Sequence, residues 1–116
     1  MSARSLRYGP WGTVRSRERM ASTFLELQRA SLPDLKRLVV AWLPNGRLEG
    51  NEWVAVNPRR TDRSLGSFKI NLRTGQWSDF ATGDRGGDAI SLLAYLRGLS
   101  QMEAASLLAR QLRGRR

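Results

Sequence analysis

Neither cysteine nor histidine occurs among the 116 residues of this chain. Without these two residue types the fold cannot be held by disulfide bonds or by thiolate and imidazole ligands to zinc, so apolar packing must stabilise it. Their absence also removes cysteine nucleophiles, the commonest general base and every Ser-His-Asp arrangement. The length predicts one domain with a modest core. We expect a non-catalytic protein that needs no metal or other cofactor.

The chain is strongly basic. Lysine and arginine number 20 against 10 acidic residues, a net charge of +10. The excess lies mostly at the two ends, with five arginines and one acid in residues 1–20 and four arginines and no acid in residues 110–116. Such a chain attracts polyanions, and nucleic acid is the expected partner. No apolar run is long enough for a membrane span or a signal peptide, so we expect a cytoplasmic protein without a membrane partner.

Residues 1–20 have no apolar periodicity, which predicts a flexible basic arm. Aromatic rings between arginines can stack on unpaired bases, although a purely solubilising tail fits the same pattern. The candidate DNA-binding residues of the arm are Arg4, Arg7, Tyr8, Trp11, Arg15 and Arg17. Residues 21–112 are predicted to form the single folded domain, and residues 113–116 a basic tail.

Helical signals occur on both sides of a central β region. A short helix is predicted over 22–30, and a second follows Pro33, where apolar residues recur at helical spacing from Leu35 to Trp42. After the β region, Asp88 is an N-cap signal and Gly98 a stop signal for a helix over 89–97. A capping box at 100–103 opens a last helix that ends near residue 112, with Leu99, Met102, Leu107, Leu108 and Leu112 packed inward.

The β region contains three predicted strands. Their ranges are Glu52–Asn57, Ser67–Leu72 and Gln76–Phe80. The middle strand alternates cleanly, with Phe68, Ile70 and Leu72 on one face, and a turn at 73–75 joins it to the third strand. The predicted class is therefore α+β, a small three-stranded antiparallel sheet flanked by N-terminal and C-terminal helices.

Short motifs follow one another in a fixed order through this region. They are Asn57-Pro58-Arg59-Arg60, Gly66-Ser67-Phe68, Trp77-Ser78-Asp79-Phe80, Gly86-Gly87-Asp88, Glu103-Ala104-Ala105 and Leu108-Ala109. The series resembles the N-terminal zinc-ribbon domain of bacterial and phage DNA primases, over about half of the chain. The resemblance implies a zinc-ribbon-like module that binds single-stranded template DNA during replication of a phage or other mobile element. Any primase or helicase activity would then belong to a partner or to a further domain.

The chain departs from that family at the metal. The four ligand positions of the primase ribbon correspond here to Asn57, Arg60, Phe80 and Gly83, none of which is a zinc ligand. The resemblance therefore implies a cysteine-less, zinc-free form. We expect apolar packing to replace the metal, through Phe80, Trp77, Trp53 and Phe68.

The same region concentrates basic residues. Lys69, Asn71 and Arg73 share one strand parity, opposite the apolar face, and can track a phosphate backbone, while an exposed Trp77 can stack a base. Trp77 can also be a core residue, because its neighbours do not fix its side, and a merely solvated sheet face remains the alternative. The predicted DNA-binding residues are Arg59, Arg60, Arg63, Lys69, Asn71, Arg73, Trp77 and Arg85.

Two further ligand hypotheses are weaker. The glycines before the helix at residue 89 can seat a phosphate, but Asp88 opposes an anion there, so a structural role is favoured. Asp79, Asp84 and Asp88 allow a magnesium site, but acids in a turn-rich stretch are more often turn and cap residues.

A second class of function remains open. A small, basic, phage-type protein can inhibit a host nucleoprotein machine, such as a CRISPR or other defence effector, by occupying its nucleic-acid path or protein surface. The expected protein partners are accordingly a replication helicase or primase in the first case and a host defence protein in the second.

Overall fold

A computed structural model describes residues 14–59 and 66–114, with side chains from residue 23 onward. The elements in chain order are helix α1 (Val14–Ser31), a 3-10 turn (Leu32–Asp34), helix α2 (Leu35–Trp42), strands β1 (Arg47–Glu49), β2 (Glu52–Ala55), β3 (Phe68–Asn71), β4 (Trp77–Asp79) and β5 (Arg85–Gly86), and helices α3 (Ala89–Arg97) and α4 (Gln101–Gly114). The predicted α+β class is confirmed. Within the described ranges, no helix is both long and apolar enough to span a bilayer.

The strands form one antiparallel sheet in the order β1-β2-β3-β4-β5. The prediction of three strands was too low, because β1 and β5 add one strand at each edge. Both are too short, at three and two residues, to display a period of two in the sequence. A Pro-Asn-Gly turn before β1 and the glycines around β5 also resemble loop punctuation.

The helices pack against one face of the sheet. Phe68 and Ile70 of β3 have no exposed surface, and they lie in one cluster with Leu35 and Val39 of α2 and Leu92 of α3. Burying each such side chain contributes about 1.5–3 kcal/mol. Helices α3 and α4 pack on each other, and α1 contacts both.

Both predicted ends of α3 and the predicted start of α4 are confirmed. The Asp88 carboxylate accepts a hydrogen bond from the Ser91 N–H at 2.9 Å, and Gly98 ends α3 at φ 66°. At α4, the Glu103 carboxylate accepts from the Ser100 N–H at 2.9 Å while the Ser100 hydroxyl accepts from the Glu103 N–H at 3.1 Å. These reciprocal bonds satisfy backbone groups that would otherwise lack partners.

Three details of the helices differ from the predictions. Helix α1 begins at Val14, eight residues before the predicted start, so the last part of the proposed arm is helical. Helix α4 continues to Gly114, and Met102 is 41% exposed rather than packed inward.

The candidate residues of the arm lie largely outside the described part of the chain. Arg15 and Arg17 lie on α1, but their side chains are not described. Arg4, Arg7, Tyr8 and Trp11 are outside the described residues altogether.

Candidate nucleic-acid interface

The sheet has a second face that the helices do not cover. Alternation along β3 points Lys69 and Asn71 away from the buried Phe68 and Ile70. Residues paired across neighbouring strands share a face. The register therefore adds residues from the flanking strands: Glu52 lies opposite Asn71, Ser78 opposite Lys69, and Arg85 opposite Ser78. We call the accessible surface formed by Glu52, Lys69, Asn71, Gln76, Ser78, Phe80 and Arg85 the outer face. Val54, which lies opposite Lys69, has the same parity but is only 1% exposed, so it adds no accessible surface.

The centre of the outer face is a shallow groove of about 330 Å³. Its polar lining comes from β2, β3 and β4 and from Arg85 of β5, and Trp77 and Gly86 also line it. The groove thus offers amides, a hydroxyl, a carboxylate and two cations. This is the chemistry with which proteins contact phosphates, sugars and base edges.

Two aromatic residues, Trp77 of β4 and Phe80 directly after this strand, differ in exposure from what the sequence suggested. Trp77, predicted as a stacking platform, is only 5% exposed and packs into the core. Phe80, predicted to fill the place of the metal, is 73% exposed. It lies beside Lys69, whose Nζ is 6.0 Å from the centre of the Phe80 ring. The candidate stacking residue is therefore Phe80.

Specific contacts hold Trp77 inside. Its ring lies 4.7 Å from that of Tyr95 and 6.1 Å from that of Phe68. The indole Nε1–H donates to the Ser91 hydroxyl at 3.0 Å, so the buried polar atom is satisfied. Gly86 permits this arrangement, because a Cβ at that position would lie 2.5 Å from Trp77 Nε1.

The structure divides the predicted basic residues. Lys69 and Arg85 lie together on the outer face. Arg73 is exposed at the β3–β4 turn and does not line the groove. Arg59 lies elsewhere: its Nη1 donates to the Tyr95 carbonyl at 3.0 Å, and its guanidinium lies 5.4 Å from the centre of that ring. Arg59 is thus separate from the groove, and its contact with DNA stays a prediction; Arg60 and Arg63 are outside the described residues.

Asn71 is on the outer face but also stabilises the turn between β3 and β4. Its Oδ1 accepts from the Arg73 N–H at 2.9 Å and from the Thr74 N–H at 3.2 Å. These bonds shape the turn before Gly75, whose φ of 86° suits glycine. Only the amide nitrogen of Asn71 is left to meet a ligand.

Lys69 and Arg85, the cations of the outer face, form no ion pair with another described residue. The salt bridges in that part of the chain join Arg37 to Asp34 and Arg47 to Glu49. Neither involves Lys69, Arg85 or the acid Glu52. Two cations and one acid therefore face the groove, and the acid weakens the local attraction for phosphate without reversing it.

A buried polar network lies where the sequence comparison placed the metal. Asn57 is 1% exposed, and its Nδ2 donates to Asp79 Oδ2 and to the Tyr95 hydroxyl, both at 2.8 Å. The Tyr95 hydroxyl in turn donates to Asp84 Oδ2 at 2.7 Å. Of the four aromatic residues expected to replace the metal by packing, Trp53, Phe68 and Trp77 are buried, whereas Phe80 is 73% exposed. Hydrogen bonds connect these two loops, and Asp79 rather than Phe80 faces Asn57.

Both loops use the same local turn. Asn57 Oδ1 accepts from the Arg59 N–H at 2.8 Å, and Asp79 Oδ1 accepts from the Ala81 N–H at 2.9 Å. Each side chain thus holds its own loop with one oxygen and faces the other loop with its remaining atom. The network fixes the end of β4, and with it the position of Phe80 on the outer face.

The surroundings of Tyr95 in this network also shift the pKa of its hydroxyl. Burial raises the pKa of its hydroxyl above the ordinary value of 10.0. The hydrogen bond from Asn57 opposes this shift, while the carboxylates of Asp84 and Asp79 add to it. Tyr95 therefore stays protonated and donates its hydrogen bond throughout the neutral range.

The acids considered for magnesium have separate duties. Asp79 bonds to Asn57, Asp84 accepts from Tyr95, and Asp88 caps α3. The cap on α3 bears out the structural role expected at this helix start. In the described part of the chain, no three acidic, histidine or cysteine side chains come together as metal ligands do.

Comparison with known proteins gives no relative: no protein-family model matches this chain, and no curated protein is significantly similar to it. The function must therefore be inferred from the residues of the outer face. Sequence reasoning missed four members of the outer face, namely Glu52, Gln76, Ser78 and Phe80. The parity of β4 could have indicated three of them, because Gln76, Ser78 and Phe80 alternate with the buried Trp77 and Asp79.

Proposed function

We propose that this protein is a non-catalytic module that binds single-stranded DNA across its outer face. In this proposal Phe80 stacks on one base, and Lys69 and Arg85 contact the flanking phosphates. Gln76, Ser78 and the free amide nitrogen of Asn71 contact sugars or base edges.

The observation that carries the proposal is the exposed Phe80 ring beside Lys69. A large aromatic side chain that is 73% exposed has not been buried by folding. With a cation 6.0 Å from its centre, it presents a stacking surface next to a phosphate contact. Each base stacked on such a ring contributes about 1–3 kcal/mol, whatever its identity.

The shape of the surface favours a single strand over a duplex. A ring can stack only on a base that is not already stacked within a helix. The outer face is one side of a sheet of short strands, and the described chain places no helix or two-stranded ribbon there for insertion into a major groove. The net charge of +10 adds attraction for either form of DNA.

Two features support a relation to the primase ribbon. One is the order of two hydrogen-bonded loops, a Gly-Gly-Asp helix start and a pair of C-terminal helices. The other is the coincidence of the Asn57–Asp79 contact with the place where the ribbon has its metal. On this proposal, the module serves replication of a phage or other mobile element, with a helicase or primase as partner, in the cytoplasm.

The test is fluorescence anisotropy with a labelled oligothymidine and with a duplex of the same length. We expect micromolar or tighter binding to the single strand at low salt, weaker binding to the duplex, and a steep loss of affinity with salt. Phe80→Ala should lower affinity roughly 5- to 100-fold. Phe80→Leu is the matched control, since it keeps an apolar side chain but removes the stacking ring.

The phosphate contacts have their own signature. Lys69→Ala and Arg85→Ala should each reduce the slope of log affinity against log salt by about 0.7, the value for one lost contact to a single strand. Arg59→Ala, on the Tyr95 side of the molecule, should leave the slope unchanged. Equal affinity of the wild type and Phe80→Ala, or tighter binding to the duplex, would contradict the proposal.

One observation favours the alternative, an interaction protein that blocks a host nucleoprotein machine. An apolar groove of about 470 Å³ lies between α1 and α4. Its lining includes Phe24, Leu27, Met102 and Ala105. If the protein acts in this way, Met102→Glu should abolish a stoichiometric, nuclease-resistant complex with a host protein, while Phe80→Ala should leave that complex intact.

A further inference from the structure

Strand β1 is an exposed edge of the sheet. Arg47, Leu48 and Glu49 are all exposed, and Leu48 has 48% of its surface accessible. In the order of the sheet, β1 has β2 on one side and no strand of the described chain on the other. Such an edge offers backbone groups to another strand.

The hydrogen-bond phase of β1 follows from its hairpin. Glu49 pairs with Glu52 across the two-residue turn Gly50-Asn51, and the pair that closes such a turn is hydrogen-bonded. Because the pattern alternates, the Leu48–Trp53 pair is not hydrogen-bonded. The N–H and C=O of Leu48 therefore point away from β2, toward the open edge.

The next strand pair gives the same phase independently. The Leu72 N–H donates to the Asn51 carbonyl at 2.8 Å, so the backbone of Asn51 faces β3. Because the direction alternates along β2, the N–H and C=O groups of Glu52 point toward β1, and those of Trp53 point toward β3. Since Trp53 does not face β1, its partner Leu48 does not bond to β2.

The sequence of β1 is complementary to its own antiparallel copy. When two copies of Arg47-Leu48-Glu49 run antiparallel about Leu48, each arginine meets a glutamate and the leucines meet each other. We propose that two copies of the protein associate in this way, with a two-fold axis through Leu48, so that the two sheets become continuous. Leu48 of each copy then exchanges two backbone hydrogen bonds with Leu48 of the other.

The side chains agree with this pairing. Leu48 lies on the same side of the sheet as Trp53, and the contact would bury apolar surface that is half exposed in the single chain. Arg47 and Glu49 lie on the other side and already bond to each other at 2.6 Å. In the dimer they also meet across the axis in pairs that are not hydrogen-bonded, where side chains approach most closely.

The flanking residues leave room for the second strand. Gly46 and Gly50 border β1 and would lie opposite each other across the axis, so no side chain obstructs the approach. Pro44 lies beyond this five-residue stretch. Charges on an edge strand usually repel other strands, but here their alternating order selects a copy of the same strand. The inference does not depend on the proposed DNA binding.

Charge reversal provides the test, because the contact is symmetric. Glu49→Arg places arginine opposite arginine twice, and Arg47→Glu places glutamate opposite glutamate twice. The double variant Arg47→Glu/Glu49→Arg restores both opposite pairs and keeps the wild-type net charge. Sedimentation equilibrium at physiological ionic strength should show a concentration-dependent dimer for the wild type and the double variant, weakened roughly tenfold in each single variant.

Hydrogen exchange provides a second measurement on the unaltered protein. The Leu48 amide should exchange more slowly as protein concentration rises. The Gly83 amide, which donates to the Asp79 carbonyl at 2.8 Å within its own loop, should not respond. Circular dichroism checks that each variant is folded. A monomer at all concentrations, equal dimerisation of the single and double variants, or open-ended assemblies larger than a dimer would each overturn the proposal.

Discussion

The two faces of one sheet use aromatic residues in opposite ways. Trp77 on the inner face is 5% exposed, and Phe80, three residues later, is 73% exposed. Trp77 has a hydrogen-bond partner and two neighbouring rings, whereas the described neighbour of the Phe80 ring is the lysine Lys69. Burial assigns the Trp77 ring to stability, whereas the Phe80 ring stays accessible to solvent.

The sharpest test of this comparison is the pair Trp77→Ala and Phe80→Ala. Removing the Trp77 ring leaves a cavity and takes one hydrogen bond from the Ser91 hydroxyl, which keeps its bond to the Asp88 carbonyl. The change should lower the free energy of unfolding by about 3–5 kcal/mol. Phe80→Ala should change it by less than about 0.5 kcal/mol. Urea denaturation measures both, and equal losses would mean that the two faces are not distinct.

Trp77→Ala could lower stability so far that the protein does not fold. Trp77→Phe is then the informative variant, since it keeps a ring but loses the hydrogen bond to Ser91. It should reduce the free energy of unfolding by about 1–2 kcal/mol and leave affinity for single-stranded DNA within twofold of the wild type. A large loss of affinity in this folded variant would return Trp77 to the binding surface.

The next largest effect concerns the polar network. Asn57→Ala removes the amide that Asp79 and Tyr95 share, and should cost about 2–4 kcal/mol, because a buried carboxylate loses a partner. The exposed Asn45→Ala is the control, with a change below about 0.5 kcal/mol. If both variants unfold at the same urea concentration, the network is not a structural link between the two loops.

The Tyr95 hydroxyl should make a smaller contribution to the free energy of unfolding, and this contribution should depend on pH. Its pKa is raised in the folded state above 10.0, so the unfolded chain loses this proton first as pH rises. Stability from the protonated hydroxyl is therefore complete below pH 10 and is lost as pH rises through the folded pKa. Tyr95→Phe should cost about 1 kcal/mol at neutral pH. The difference in stability between wild type and variant should shrink above pH 10, as measured by urea denaturation at several pH values. A constant difference across that range would contradict the assigned shift.

The smallest effect sharpens the outer face itself. Glu52→Gln removes the acid that lines the groove with Lys69 and Arg85 while keeping its shape. Affinity for single-stranded DNA should rise roughly two- to fivefold, the size of one exposed charge interaction. Glu26→Gln on α1, away from this face, should give a smaller increase. Unchanged or weaker binding by Glu52→Gln would place the DNA elsewhere.

Strand alternation and capping chemistry made much of the fold predictable. The spacing from Leu35 to Trp42 predicted α2 at its observed bounds, and the signals at Asp88 and Gly98 predicted α3. Each depends only on residues a few positions apart. The edge strands could not be predicted in this way, because two or three residues carry no measurable period and pair only when a neighbouring strand is in place.

The candidate site was predictable in part for the same reason. Lys69 and Asn71 followed from their parity with Phe68, and the net charge predicts a polyanionic ligand. Arg59 does not line the groove with Lys69, because proximity in sequence to basic neighbours does not specify a face. Its guanidinium is held by the Tyr95 carbonyl, 36 residues away in the chain.

The sequence by itself determined that no thiolate or imidazole could hold the fold, that β3 has one apolar face, and that the molecule is cationic. These properties depend on composition and on local periodicity. Only the tertiary structure decided that Trp77 is buried, that Phe80 is exposed, and that an amide and a carboxylate connect the two loops. The exposure of the two rings depends on which side of β4 packs against α3. The link between the loops depends on the contact of Asn57 with Asp79, 22 positions later in the chain. Contacts of such long range leave no local pattern in the sequence.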